Sequence, residues 1–420
     1  MHLGEELHLT YCTNIHPGHT WSEVQESIEH FGPELKARIS PNNPFGIGLR
    51  LSNEAAVELL EDDNLIRFQK YLDKENLYIF TLNGFPYGSF HRESVKDAVH
   101  SPDWQTPERA DYTIRLVHIL SRLLPSNLSE GSISTSPLSY KPWVNPNDPA
   151  LWESCLHQLI KVVIKLILVR EKTGQIIHID LEPEPDGLLE DSGEVVDFFQ
   201  NHLLVKGVDM LSKSLGITTE KARYYLLDHI CICLDTCHMA IEYETPVIFV
   251  NRLKKAGIHI GKVQISSALM VNFSSDVNAY EQQKEIKDSL KPFTESTYLH
   301  QVIQKNRDLT MIRYPDLPDA LTHISQQYED ALEWRIHFHV PIFVEAYALF
   351  MSTQKEIIDT LILQNQHPFC RHFEIETYTW EVLPDTLKTD LSNLITKEFE
   401  WVINLWSSVK AGNFNEPTIE

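Results

Sequence analysis

The chain has 420 residues, of which 42% are hydrophobic, and a formal net charge of −23 from 36 basic and 59 acidic side chains. This length fits two average domains or one large α/β barrel with insertions. The acidic excess argues against a nucleic-acid-binding surface and against anionic membranes, because phosphate contacts need lysine and arginine. It still allows a small phosphorylated ligand that is held by a few local cations.

Targeting and cysteine patterns favour a cytoplasmic protein. The first residues, Met-His-Leu-Gly-Glu-Glu-Leu, lack a basic region and a long apolar run, so no signal peptide is expected. The most apolar segment, 159–169, is too short for a transmembrane segment and contains Lys161 and Lys165. The six cysteines show no spacing typical of disulfides or of a zinc ribbon.

Short β-type segments alternate with amphipathic helical segments along the chain. The predicted strands are 9–14, 45–51, 77–83, 131–136, 176–182, 230–235, 260–266 and 372–377. The predicted helices are 21–38, 53–72, 107–124, 151–172, 218–227, 247–256, 352–365 and a final helix over 384–410. Such alternation implies parallel strands joined by crossover helices, and eight units favour a closed barrel. We therefore predict an α/β fold, a single (β/α)8 TIM barrel over residues 1–420. An antiparallel sheet with one solvated face is the alternative, and the intervening helices argue against it.

Two long segments interrupt this alternation. Residues 84–106 follow the third predicted strand, and residues 268–347 follow the seventh; both are rich in aromatic residues and histidine. Long loops in compact domains are usually lids or binding loops. Both segments are predicted to cover the C-terminal mouth of the barrel.

Within the predicted strands, apolar and polar residues alternate. In the fifth strand His178, Asp180 and Glu182 share one face, opposite an isoleucine-rich face. In a barrel the polar face points inward, where polar groups must pair or bind a ligand. The side chains at the strand ends then converge at the C-terminal mouth, where barrel enzymes place their chemistry.

Three strand ends carry groups that bind divalent metals. Asp235 ends the sixth strand with His238 three residues later, Glu182 ends the fifth, and Glu376 ends the eighth. Carboxylates gathered at one point repel each other without a cation, and this ligand mixture suits Mn, Mg, Zn or Fe(II). The alternative for Asp235 is a helix cap. Pro183 and Pro185 restrict the carboxylates of the Glu-Pro-Glu-Pro-Asp segment that Glu182 begins.

His337 and His339 form a second candidate ligand pair. A spacing of two on an extended segment places both rings on one side. The alternative is a pair of structural histidines in a loop.

Further polar residues near the strand ends are candidates for substrate binding. They are Asn14, His16, Arg50, Asn83, Lys262 and Gln264. Arg50, Lys262 and Gln264 could orient hydroxyls or neutralise an enolate, or each could be a structural ion-pair partner. No nucleotide cofactor is expected, because the sequence has no G-x-G-x-x-G after a strand and no Walker loop. It also has no G-x-S-x-G elbow.

Several motifs together resemble a known family. They are Tyr-Cys-Thr-Asn-Ile-His-Pro-Gly at 11–18, Leu-Asp-Thr-Cys-His at 234–238, Tyr-Leu-His-Gln-Val at 298–302 and Trp-Arg-Ile-His-Phe-His-Val-Pro at 334–341. Along essentially the whole chain these resemble the metabolite traffic protein EboE family. Glu182, Asp235-x-x-His238 and Glu376 at strand ends resemble the wider xylose isomerase-like barrel superfamily.

The resemblance implies a metal-dependent barrel that acts on a cyclitol or sugar-like metabolite, with functional partners encoded in the same operon. It also implies Glu182 and Glu376 as the acid/base pair, with Asp235, His238, His337 and His339 as further ligands. One departure is Gln264, which stands where metal-binding epimerases and endonuclease IV carry a histidine ligand.

Three functions are compatible with this sequence. The first is a metal-dependent isomerase or epimerase of a small polyhydroxylated metabolite, either a sugar, a sugar phosphate or a cyclitol. The second is a non-catalytic carrier on the same barrel, and the third is a metal-dependent hydrolase of a small phosphoester. A homo-oligomer is compatible with each of them.

Overall fold

A parallel sheet of eight strands forms the barrel of this protein. The computed structural model describes residues 1–4, 6–91, 94–273, 279–327, 330–383 and 388–414. The first seven strands, in chain order, are β1 (His8–Tyr11), β2 (Phe45–Arg50), β3 (Leu77–Asn83), β4 (Glu130–Thr135), β5 (Ile176–Leu181), β6 (Ile230–Asp235) and β7 (Ile260–Ile265). Six strands of an insertion follow: β8 (Ala268–Asn272), β9 (Val302–Asn306), β10 (Met311–Tyr314), β11 (Ala331–His339), β12 (Ala346–Tyr347) and β13 (Phe350–Ser352). The last barrel strand is β14 (His372–Ile375).

The barrel strands follow the order β1-β14-β7-β6-β5-β4-β3-β2 with parallel pairing. A parallel bridge between Cys12 and Gly48 brings the two edge strands together. The predicted (β/α)8 barrel is therefore confirmed, and each of the eight predicted strands overlaps an observed one. Alternation with period two specified them, because it is a local property of each strand.

Helices surround the barrel and cover its apolar outer face. They are α1 (Trp21–Ile39), α2 (Asn53–Leu60), α3 (Asn64–Glu75), α4 (Pro107–Leu123), α5 (Pro149–Thr173), α6 (Ser192–Phe198), α7 (Val208–Leu215), α8 (Thr219–His229), α9 (Thr236–Ile241), α10 (Pro246–Ala256), α13 (Gln354–Gln366) and α14 (Leu391–Lys410), with α11 (Ala279–Leu290) and α12 (Leu317–Gln327) in the insertion. A π-helical segment, Phe199–Gly207, joins α6 to α7. None of the helices in the described ranges is long and apolar enough to cross a membrane.

Some helix boundaries differ from the prediction. The predicted helix 53–72 is two helices, and the helical stretch from α6 to α7 was not predicted. The final helix begins at Leu391 rather than 384, and residues 384–387 of that prediction lie outside the described residues.

The segment after β7 is a folded unit rather than the predicted loop. Its strands form an antiparallel sheet in the order β10-β9-β11-β8-β13-β12, with α11 and α12 beside it. Its own buried core includes Phe293, Leu317, Trp334 and Phe338. The insertion also extends past 347, because β13 pairs with β8. Parts of both predicted insertions, residues 92–93, 274–278 and 328–329, lie outside the described residues.

Inside the barrel, the inward polar residues pair with one another. Lys262 Nζ contacts Glu374 Oε1 at 2.9 Å, and both side chains are fully buried. His178 lies 2.6 Å from Asp180 and 3.1 Å from Glu130. Such pairing lowers the free-energy cost of burying these charges. The polar inward faces of the predicted strands made pairing of this kind necessary.

Candidate metal centre at the barrel mouth

Asp235 is both a helix cap and a candidate metal ligand. Its Oδ1 accepts hydrogen bonds from the backbone N–H groups of Cys237 at 2.7 Å and His238 at 2.9 Å, and from Ser266 Oγ at 2.6 Å. Its buried Oδ2 has no hydrogen-bond partner among the described residues. A helix cap and a metal ligand are therefore compatible roles for Asp235, because Oδ1 caps the helix and Oδ2 is left for a metal.

Three carboxylates meet above the carboxyl ends of β5, β6 and β14. One oxygen from each of Glu182, Asp235 and Glu376 lies within 4.8 Å of the other two, and all three side chains are buried. Asn14 and Asn83 donate hydrogen bonds to Glu376 Oε1, at 2.7 and 2.9 Å. Hard oxygen ligands at this spacing fit a divalent cation such as Mg or Mn.

His337 and His339 each direct one ring nitrogen into the same centre. His339 Nδ1 lies 2.9 Å from the Glu376 carbonyl oxygen, which can only accept, so Nδ1 carries the proton. His337 Nδ1 lies 2.8 Å from Gln301 Oε1, and Gln301 Nε2 in turn donates to the Pro185 carbonyl at 3.1 Å. Neither Nε2 atom has a hydrogen-bond partner among the described residues. This arrangement is typical of metal-binding histidines.

The donors overlap in several groups. Asp235, His238 and His339 place three ligand atoms within 4.8 Å of one another, and so do Glu184, His238 and His337. Cys237 also approaches His337 and His339 within that limit. The six predicted metal ligands, Glu182, Asp235, His238, His337, His339 and Glu376, are thus brought to one place, and their binding of a metal stays a prediction. Glu184 also belongs to this centre without having been predicted, although its place in the Glu-Pro-Glu motif was a usable signal.

Burial determines the electrostatics of this centre. Burial, and after it the repulsion between neighbouring carboxylates, raises the pKa of the Glu182, Glu184 and Glu376 carboxyls well above the ordinary range. Burial also lowers the pKa of His339 to about 4 and holds the pKa of His337 well below its usual value. The imidazoles are thus neutral and ready to bind a metal, whereas the carboxyls must release protons to do so.

A cavity of about 60 Å³ lies over the carboxylates. Its polar wall contains Glu182, Glu184, His238, His337 and Glu376 together with Asn14, Asn83 and Gln301. Apolar and aromatic side chains also line it, including Phe85, Phe90, Val95, Tyr298 and Tyr378. Phe90, Tyr298 and Tyr378 pack with ring centroids 5.0–5.2 Å apart.

The two insertions meet above this cavity. The backbone N–H groups of Val95 and Lys96 donate to the Thr297 carbonyl at 2.7 and 3.0 Å. Lys96 Nζ also contacts Asp316 Oδ2 at 2.6 Å. The cavity has room for only a few water molecules, so a larger ligand would require these segments to move apart.

Four of the six predicted substrate-binding residues are not among those that line the cavity. Arg50 donates to the carbonyls of Gly18 and Gly88 rather than pairing with an acid, and Lys262 is held by Glu374. His16 contacts Tyr11 Oη at 3.1 Å. The Gln264 amide is fully buried beside Asp235 in the sheet and has no hydrogen-bond partner among the described residues. Contact of these four residues with a substrate stays a prediction, whereas Asn14 and Asn83 do line the cavity.

Known structures share this fold. A xylose isomerase-like TIM barrel protein from Mycobacterium smegmatis, in complex with magnesium, aligns over 96% of this chain and 98% of its own, with a TM-score of 0.50 and 10% identity. A xylose isomerase domain containing protein from Salmonella typhimurium aligns over 96% and 98%, with a TM-score of 0.41 and 12% identity. The IOLI protein with a binding zinc atom aligns over 97% and 99%, with a TM-score of 0.41 and 11% identity. No family model and no curated protein sequence matches this chain significantly. At such identity the first likeness shows a xylose isomerase-like barrel fold and nothing about the reaction.

Proposed function

We propose that this protein is a metal-dependent isomerase or epimerase of a small neutral polyhydroxylated metabolite, a sugar or a cyclitol. The observation that carries the proposal is the convergence of Glu182, Asp235 and Glu376 at the mouth of the barrel. Glu182 Oε2 and Asp235 Oδ2 are buried there without hydrogen-bond partners in the described part of the chain. Buried carboxylate oxygens of this kind are costly unless a cation binds them.

The residues of the centre suit proton transfer between adjacent carbons. A bound divalent ion supplies Lewis-acid polarisation of substrate oxygens. Two amide donors occupy Glu376 Oε1, so Oε2 is the oxygen left to accept a proton from a substrate carbon. Glu182 carries the second proton-transfer group, and burial raises its pKa, so this carboxyl holds a proton more readily than an exposed one. The apolar wall limits the access of water to this step.

The charge of the cavity favours a neutral substrate over a sugar phosphate. Among the described residues that line it, the only lysine or arginine is Lys96, which is already paired with Asp316 at 2.6 Å. Glu182, Glu184 and Glu376 face the same space and would repel a phosphate.

The resemblance to the EboE family adds a cyclitol to the candidate substrates. A cyclitol substrate remains a prediction, and so do functional partners from a shared operon, a cytoplasmic location and a homo-oligomer. Mn, Zn, Mg and Fe(II) all remain candidate metals, because both carboxylates and imidazoles face the centre.

Two other functions keep some support. The imidazoles of His238, His337 and His339 favour a metal-dependent phosphoester hydrolase, which the acidic lining disfavours. The small cavity and the Gln264 amide, which has no hydrogen-bond partner among the described residues, favour a non-catalytic carrier.

Solvent deuterium exchange tests the proposal across a panel of neutral ketoses, aldoses and inososes. The protein, loaded in turn with Mn, Mg, Zn or Fe(II), is incubated with each compound in D₂O. NMR should show deuterium at a carbon next to the carbonyl of at least one compound. Glu182→Gln and Glu376→Gln should abolish this exchange, whereas Glu244→Gln should retain it, because Glu244 pairs with Arg252 at 2.9 Å outside the cavity. No exchange under any metal would overturn the proposal.

A further inference from the structure

The buried side chain of Phe90 lines two cavities at once. One is the cavity of about 60 Å³ over the carboxylates, and the other is a cavity of about 540 Å³ that we call the outer cavity. The outer cavity lies between residues 17–19 after β1, side chains of α1 from 23 to 31, and residues 89–91 of the insertion after β3. Some of the α1 residues that line it are exposed, so the outer cavity opens to solvent.

The outer cavity is large enough for a small molecule, whereas the cavity over the carboxylates is not. Small-molecule sites usually measure roughly 300–1000 Å³. The outer cavity lies in that range, while the cavity over the carboxylates has room for only a few water molecules. A ligand of the candidate centre therefore needs more space, and space of the right size lies on the other side of the Phe90 ring.

The lining of the outer cavity suits a neutral polyhydroxylated ligand. His19, Glu26 and Ser27 line it and can exchange hydrogen bonds with hydroxyl groups. Phe31 adds an aromatic side chain for the apolar C–H groups of such a ligand. None of the described residues that line it is a lysine or an arginine, so a phosphate would find no basic partner there.

The Phe90 ring can move more easily than the seam between the two insertions. The ring packs against two tyrosines, with centroids 5.1 and 5.2 Å away, and as a hydrocarbon it has no hydrogen bond to lose. At the seam, two backbone N–H groups donate to the Thr297 carbonyl at 2.7 and 3.0 Å, and Lys96 Nζ lies 2.6 Å from Asp316 Oδ2. A change of one side-chain rotamer leaves all of these contacts intact.

Arg50 holds the backbone around the Phe90 ring. Its buried guanidinium donates to the carbonyls of Gly18 and Gly88, and it lies 6.0 Å from the centroid of the ring. Gly18 lines the outer cavity, and Gly88 precedes Phe90 by two residues. The two backbone segments beside the ring are therefore tied together, while the ring itself can change rotamer.

We propose that the outer cavity is the entry site for the ligand of the candidate centre and that the Phe90 side chain is the gate between them. The ligand is a small neutral polyhydroxylated molecule, and this part of the inference rests on the proposed function. In the closed position the ring separates the carboxylates from the outer cavity, and a rotated ring joins the two spaces. Phe90 belongs to the insertion after β3, so its rotation is the smallest movement that separates the insertions over the centre.

Thiol labelling tests this route without metal, substrate or turnover. The reporter is Val95→Cys, at a buried position that lines the cavity over the carboxylates and not the outer cavity. The reagent is the neutral 2-hydroxyethyl methanethiosulfonate, and mass spectrometry of the full-length protein's peptides follows the reaction. Combined with the reporter, Phe90→Ala should speed labelling by roughly 10-fold or more. Ser27→Trp, which fills the outer cavity from α1, should slow it by a similar factor.

Matched variants control for other effects. Gln25→Trp places the same side chain at another half-buried position of α1 that does not line the outer cavity, and it should leave the rate unchanged. Asp316→Asn weakens the seam and should also leave the rate unchanged. The buried native Cys155 should stay slow to react in every variant, which shows that none of them has unfolded. Phe85→Cys lines the same cavity as Val95 and is the reporter if Val95→Cys does not fold.

A charged reagent tests the ligand class. The anionic 2-sulfonatoethyl methanethiosulfonate should label the reporter roughly 10-fold more slowly than the neutral reagent, after each rate is divided by the rate with free cysteine. Equal corrected rates would overturn the neutral class of ligand.

Other results would overturn the gate. Unchanged labelling in Ser27→Trp would do so, as would a faster rate in Asp316→Asn that equals the rate in Phe90→Ala, because ligands would then enter at the seam. Either result, with deuterium exchange intact, would leave the proposed function standing. Labelling as expected, with no deuterium exchange for any compound, would overturn the proposed function and leave the gate standing.

Discussion

Asn14 and Glu376 are joined by a hydrogen bond of 2.7 Å between Nδ2 and Oε1. Asn14 follows the first strand of the barrel and Glu376 follows the last, so this contact connects the two ends of the fold at the candidate site. Asn83, from the end of β3, donates to the same oxygen at 2.9 Å. Two amides therefore fix the rotamer of one carboxylate and leave its other oxygen for chemistry.

Replacement of Asn14 should weaken metal binding without unfolding the protein. Asn14→Ala leaves one amide on Glu376, so the carboxylate loses part of its orientation, and affinity for Mn or Zn should fall by roughly 10–100-fold. Isothermal titration of the metal-free protein measures this. Asn145→Ala, in an exposed turn, is the control and should bind metal as the wild type does. Unchanged affinity in Asn14→Ala would mean that the contact only closes the barrel.

Metal binding should stabilise the fold. An ion at 100 times its Kd adds about 2.7 kcal/mol to the free energy of unfolding, so the melting temperature should rise by several degrees. A chelator should reverse the rise, which differential scanning fluorimetry follows directly. Glu182→Gln should remove the response and leave the metal-free protein at least as stable as the wild type, because it relieves repulsion among buried carboxyls. A metal-free melting point several degrees lower in Glu182→Gln would contradict this account.

The ion pairs of His178 with the buried Asp180 and the partly buried Glu130 should stabilise the barrel over a defined pH range. Burial lowers the pKa of His178, but Asp180 and Glu130 outweigh burial and raise this pKa to about 10. The stabilisation by the charged imidazole is therefore complete below pH 6.5 and is lost as the pH rises through about 10. Glu130 has a pKa held below its ordinary 4.5, because His178, the neighbouring His372 and Arg371 together outweigh burial; its contribution is lost as pH falls through that lowered pKa.

His178→Gln should therefore cost roughly 3–5 kcal/mol at pH 7, the usual effect of breaking a buried pair. Urea unfolding of both proteins across pH measures the difference, which should shrink in strong acid and above about pH 10. His157→Gln, on the exposed side of α5, is the control and should change stability by less than about 0.5 kcal/mol. A difference that does not depend on pH would show that shape rather than charge is lost.

Gly48 is required by the close approach of β2 to the polar interior. A Cβ at this position would lie 1.9 Å from Glu374 Oε2 and 2.8 Å from the Tyr11 carbonyl oxygen. Gly48→Ala must displace Glu374 from Lys262, so it should destabilise the fold by about 1–3 kcal/mol or more. Gly88→Ala has nothing within 4 Å of the new atom and should be nearly neutral. Comparison of urea midpoints decides this, and equal midpoints would exclude the steric explanation.

The sequence alone determined the barrel and the position of its candidate centre. Alternation with period two and the helices between strands are local properties, so each of β1 to β7 and β14 overlaps a predicted strand, although the bounds differ by a few residues. Parallel strands end at one mouth, and this topological rule placed Glu182, Asp235 and Glu376 together before any distance was known.

Long-range packing determined the fold of the insertion and the partners of the buried polar side chains. The insertion folds as a sheet because β8 pairs with β11 and β13, partners far along the chain whose register no local pattern encodes. Lys262 contacts Glu374, and Arg50 donates to two loop carbonyls, and no local pattern encodes these partners. Glu184 joins His238 and His337 because the turn after β5 and β11 converge over one cavity. Residue types and spacing specify which groups can bind a metal, but only tertiary contacts determine which of their atoms remain without another partner.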